Sequence, residues 1–63
     1  MFKEYPDILT VPQVAQALGI SRKAVYALVN NNILGALRVG RIIKIPKFSL
    51  EDYVKTARNN VVL

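Results

Sequence analysis

The chain has 63 residues, nine of them Lys or Arg and four Asp or Glu, for a net charge of +5. It holds no cysteine and no histidine, which excludes disulfides, zinc-finger sites and the common nucleophile–base pairs of covalent catalysis. A chain this short buries only about 60% of its unfolded surface, and no apolar run approaches the ~20 residues of a membrane span.

The opening MFKEYPD lacks the apolar stretch of a secretion signal, so a soluble cytoplasmic protein is expected. The charge is unevenly spread. Glu4, Asp7, Glu51 and Asp52 lie towards the ends, whereas Ile8 to Leu50 contains no acid and holds Arg22, Lys23, Arg38, Arg41, Lys44 and Lys47. A single-sign middle suits a polyanion such as nucleic acid, against the plainer reading of a solvated basic surface.

One domain over residues 1–63 is expected, with residues 1–8 as an approach segment and 59–63 as a tail. Pro6 and Asp7 discourage an early helix, and Ile8 and Leu9 read as core residues ahead of the first one. Phe2 and Tyr5 either cover the core or stay loose. Thr10 with Gln13 forms a capping-box pattern, with Pro12 in the first turn, so helix one runs from about Val11 to Leu18. Its core stripe is Val11, Val14, Ala15 and Leu18, with Gln13, Gln16 and Ala17 facing away.

Gly19 fits a left-handed helix end, and Ser21 supplies the N-cap oxygen of the next helix. Ile20 and Val25 have the spacing of a hydrophobic staple. Helix two then runs from Arg22 to about Asn30, with Val25, Leu28 and Val29 inward. Lys23, Tyr26, Ala27 and Asn30 share the opposite side and Arg22 lies at its edge. Two short helices with a tight turn form a helix-turn-helix pattern, whose second helix offers a donor-rich outer face for reading DNA. An ordinary solvated helix face is the alternative.

Asn30, Asn31 and Asn32 end that helix, since asparagine tolerates the left-handed region. Ile33 and Leu34 return to the core and Gly35 allows a bend. Leu37 to Ile45 reads LRVGRIIKI, in which Leu37 and Val39 alternate with Arg38, and Ile43 and Ile45 with Lys44. That is the period of two half-buried strands, joined by a Gly40-Arg41 pair suited to a type II′ turn. A basic hairpin directly after a helix-turn-helix reads as a wing, with Arg38, Gly40, Arg41 and Lys44 as its contact set; a charged solvent loop is the alternative. Lys44 and Lys47 suit phosphates. Pro46 stops the second strand, and a last helix starts between Lys47 and Ser49 with Leu50, Tyr53, Val54 and Ala57 inward. Asn59 and Asn60 close it, leaving an apolar Val61–Leu63 tail.

No catalytic set emerges. Ser21 and Ser49 have no evident base, Glu51 and Asp52 point about 100° apart on a helix, and the three glycines are isolated. No metal, cofactor or small-molecule ligand is expected, and no membrane partner.

The segments LTVPQVAQALGISRKAVYALV (9–29), ALRVGRIIKIP (36–46) and LEDYV (50–54) resemble the excisionase-type, MerR-like helix-turn-helix family. The resemblance implies a mainly α winged helix-turn-helix with a small β-hairpin, in the order α-α-β-β-α. It implies a recognition helix in the major groove and a wing on the backbone or in the minor groove. By position, Arg22, Lys23 and Tyr26 match the family's recognition-helix residues, and Arg38, Gly40 and Arg41 its wing. The chain departs at Ala27 and Asn30, where basic residues are usual, and at Asn32 and Gly35, where glycine and proline are common. The first pair bears on base reading, the second on loop geometry.

The resemblance further implies a bacterial or phage-encoded excisionase, a recombination directionality factor that binds and bends attachment-site DNA. Its partners would be double-stranded DNA, an integrase (tyrosine or serine recombinase) and further copies of itself on DNA. A small transcriptional regulator of a mobile element is the alternative, and a protein-interaction module with the VVL tail as its hook is a third reading.

Overall fold

The computed structural model describes residues 2–59. Strand β1 (Ile8–Thr10) leads into helix α1 (Val11–Leu18), followed by helix α2 (Arg22–Asn30), the hairpin strands β2 (Leu37–Val39) and β3 (Ile42–Pro46), and helix α3 (Lys47–Asn59). The expected order α-α-β-β-α is thus corrected by a strand before α1. Residues 1–8 are not wholly an approach segment, because Ile8 already pairs with Pro46. The sheet is antiparallel throughout, in the order β1-β3-β2. Three residues are too few to show a period-two pattern, and the partner of β1 lies far along the chain.

Both expected helix–turn boundaries hold. Thr10 accepts from the Gln13 amide at 3.3 Å while Gln13 Oε1 accepts from the Thr10 amide at 2.9 Å, closing the capping box. At the other end of α1, Gly19 takes φ 69°, and the Ile20 and Gly19 amides donate to the Ala15 and Gln16 carbonyls. Ser21 Oγ then accepts from the Ala24 amide at 3.1 Å, which starts α2.

Leu9, Val14, Val25, Leu34, Ile45 and Leu50 are fully buried, so both helices of the turn, the sheet, the α2–β2 loop and α3 share one core. Each such side chain contributes roughly 1.5–3 kcal/mol over leaving it in water. Leu18, Leu28, Tyr53 and Val54 pack on this core at its margin, as do Phe2 and Tyr5, whose rings meet edge to face at 6.2 Å. Ala17 also reaches the core margin, against its expected outward position. Among the described residues no polar or charged side chain is buried, so the charge lies at the surface. No helix among them is long and apolar enough to cross a membrane.

Four apolar residues expected inside are exposed. Ile8 and Ile33 face solvent beside their buried neighbours Leu9 and Leu34. In β2 the expected alternation of burial is absent: Arg38 is exposed, and Leu37 and Val39 are 54% and 67% exposed. The register explains this. Leu37 faces Lys44, Val39 faces Ile42 and Thr10 faces Lys44, which puts all of them on the outer side of the sheet. Arg38 pairs with Ile43, so it shares the inner side with Ile43, Ile45 and Leu9. The Asn60 helix end and the Val61–Leu63 hook fall outside the described residues.

Candidate nucleic-acid interface

The outer face of α2 is built by the two devices that fix the turn. With the Gly19 turn and the Ser21 cap in place, Val25 and Val29 are buried and Leu28 is half-buried. The helical period then sends Lys23, Tyr26, Ala27 and Asn30 to solvent, with Arg22 also exposed in the first turn. Tyr26 keeps 45% of its surface exposed. Ser21 is exposed too, but its Oγ is engaged by the helix cap. Ala27 lies among these larger side chains and lets a flat partner approach the helix closely. An α-helix is about 10–12 Å across with its side chains, close to the width of a B-DNA major groove.

The helix end and the hairpin are joined. Asn31 caps α2, Asn32 takes φ 57°, and the Ile33 and Asn32 amides return to the Leu28 and Val29 carbonyls. From β2, Arg38 Nη2 donates to Asn30 Oδ1 at 2.7 Å. Sequence spacing gave no sign of this contact, which depends on Arg38 lying on the inner side of the sheet. The hairpin turn is the expected two-residue Gly40-Arg41 loop, closed by the Val39–Ile42 pair. Gly40 has φ 62° while Arg41 keeps a negative φ, as a type II′ turn requires. Both residues are exposed, so the Arg41 side chain stands at the hairpin tip.

The remaining two lysines are placed apart from that group. Lys44 is half-buried on the outer side of the sheet, opposite Thr10 and Leu37, so it and Arg38 point to opposite sides. Lys47 opens α3. Its backbone amide donates to the Asp7 carbonyl at 2.7 Å, and its ammonium lies 3.8 Å from the Asp7 carboxylate. Among the described residues no acidic side chain pairs with Arg22, Lys23, Arg38, Arg41 or Lys44. Arg22, Lys23, Tyr26, Ala27, Asn30 and Arg38 thus form one connected, donor-rich surface, extended by Arg41 at the tip. An open cleft of 370 Å³ between the α2–β2 loop and α3, lined by Ile33, Gly35, Ser49, Asp52 and Tyr53 among others, shares no residue with it.

Comparison with known proteins bears on the same region. The family described as "Helix-turn-helix domain" matches residues 8–58, from β1 almost to the end of α3. A probable excisionase of Saccharopolyspora erythraea is 39% identical over 46 residues, covering 73% of this chain and 47% of that protein. A Mycobacterium tuberculosis protein, whose name assigns it provisionally to DNA binding, is 38% identical over 51 residues, 81% of this chain and 65% of its own. An excisionase of Streptomyces ambofaciens is 28% identical over 50 residues, 79% of this chain and 81% of that protein. The chain therefore spans 47% and 65% of the first two relatives' lengths. No solved structure matches.

Proposed function

The chain belongs to the excisionase-type helix-turn-helix family, and from that premise we propose that it is a sequence-specific DNA-binding accessory factor of site-specific recombination. On this reading the domain is a winged helix-turn-helix. Arg22, Lys23, Tyr26, Ala27 and Asn30 of α2 enter the major groove, where Arg and Asn bond base edges and Ala27 meets a thymine methyl. The wing residues Arg38, Gly40 and Arg41 follow the adjacent backbone, with Arg41 suited to the focused negative potential of a narrow minor groove. Lys44 and Lys47 contact phosphates and position without specifying. The factor bends attachment-site DNA, assembles there with further copies and an integrase, and favours excision.

The observation that carries this reading is the exposed donor set of α2 and the hairpin, with no acidic residue between Arg22 and Arg41 in the chain, joined across two elements by the Arg38–Asn30 bond. A basic patch without order would serve any polyanion. A small outward residue between long donors on one helix face suits a groove.

Selection from a random-sequence duplex pool at several salt concentrations tests the proposal. About five neutralised phosphates give a log–log salt slope near −4.5. That slope with an enriched motif is expected, and repeats of the motif in helical phase would accompany assembly on an attachment site. Salt-sensitive binding without a motif would reduce the proposal to a shape-reading architectural factor. Absence of binding at low salt would overturn it in favour of a protein-interaction module. Excision is scored separately, as loss of circularised element when the chain is deleted from its host. Unimpaired excision would leave a small transcriptional regulator with the same binding mode.

A further inference from the structure

A guanidinium has only donors, so the Asn30 atom that meets Arg38 must be the amide oxygen. The Asn30 amide is therefore oriented before any partner arrives: its oxygen is held by a side chain from β2, and its NH2 group is left to face outward. Arg38 spends one N–H on this bond and keeps the others. Both residues are exposed.

We propose that Arg38 and Asn30 act as one base-reading unit that selects a guanine edge, which makes Arg38 a specificity-determining residue and not only a backbone contact of the hairpin. The proposal rests on the DNA-binding reading above and assigns the base that its α2 C-terminal end prefers. The chemistry is that of complementary donors and acceptors. Guanine presents two acceptors in the major groove, N7 and O6, and the paired unit offers it the Asn30 NH2 group and the remaining Arg38 N–H donors. Adenine needs an acceptor for its N6 amino group as well as a donor for N7. The Asn30 oxygen that would serve already spends one of its two lone pairs on Arg38, and a second bond there would set the amino hydrogens beside that positive charge. Asn30 alone would be expected to read adenine. Joined to Arg38, it reads guanine.

The test is duplex-pool selection with the parent chain, Arg38→Ala, Asn30→Ala and the double variant. Thermal melts confirm that each variant is folded, and Arg38→Lys serves as a conservative control that keeps the charge and a donor. The parent is expected to prefer guanine over adenine at one position by roughly tenfold. Both single variants should lose that preference at the same position, and the double variant should lose no more. Arg38→Lys should retain part of it. A residue that merely touches phosphate would lower affinity for all sequences evenly. That result for Arg38→Ala, with the Asn30-dependent base preference intact, would overturn the inference. So would an adenine preference in the parent that disappears in Asn30→Ala. Absence of any salt-sensitive binding by the parent would overturn the DNA-binding reading itself, and this inference with it.

Discussion

Gly19 and Asn32 close the two helices of the turn with the same backbone geometry. Their φ values are 69° and 57°, and the residue after each, Ile20 or Ile33, donates back to a carbonyl five residues earlier. The chemistry of the two positions differs, because only Gly19 escapes the steric cost of a side chain in the left-handed region. A Cβ at Gly19 would meet no atom within 4 Å, so Gly19→Ala isolates the backbone cost. We predict a loss of about 1–2 kcal/mol, read as a fall of several degrees in Tm for a domain of this size. Asn32→Gly should move Tm the other way, by a few tenths to about 1 kcal/mol, since asparagine already tolerates this conformation. An unchanged Tm for Gly19→Ala would contradict the described turn.

Arg41→Ala should weaken binding to every duplex and lower the salt slope by about one. Lys23→Ala and Tyr26→Ala should instead change which sequences are recovered, since their side chains lie on the outer face of α2. Isothermal titrations at three salt concentrations, beside pool selection, separate the two behaviours. If Arg41→Ala left affinity and slope unchanged, the hairpin tip would not be a contact.

Lys47 already has a carboxylate 3.8 Å away, on the fully exposed Asp7 side chain. Its charge is partly compensated, so Lys47→Ala should cost less affinity for DNA than Arg41→Ala. Asp7→Asn should strengthen binding at low salt and lose that advantage at high salt, where exposed charges are screened. The stability of either variant should stay close to the parent's, as exposed ion pairs contribute little. A Lys47→Ala variant that loses as much affinity as Arg41→Ala would place the start of α3 at the heart of the contact.

Ile45→Ala removes a fully buried side chain from the central strand and should cost about 2–5 kcal/mol. The core of so small a domain supplies only about 3–5 kcal/mol, so the variant should be largely unfolded at 37 °C. Denaturant titration followed by circular dichroism measures this. Ile42→Ala, three strand positions towards the exposed tip and on the opposite side of the sheet, should leave the midpoint nearly unchanged.

The helices were legible because their boundaries are written locally. Thr10 with Gln13, Gly19 and Ser21 each act within four residues, and the caps stand where those residues place them. The hairpin turn was legible for the same reason. What the sequence concealed is set by pairing at a distance. Ile8, Leu37 and Val39 are as apolar as Leu9 and Ile45, and only the register decides which of them face the core. Arg38 looked like an outward strand residue and lies on the inner side, within reach of Asn30. The exposure of the α2 face followed from helical period alone, whereas its link to the hairpin did not.

β1 and β3 pair Leu9 with Ile45, so the sheet closes around the whole helix-turn-helix. The consequence is kinetic. The α1–α2 unit and the hairpin can each form from neighbours in sequence within microseconds. Neither completes the core until a loop of more than thirty residues has been closed, an entropic cost met before its contacts give any return. Docking of the N-terminal strand is therefore the expected late step of folding, and its release the expected first step of unfolding. Shortening the chain ahead of Thr10 should thus accelerate unfolding far more than it slows folding.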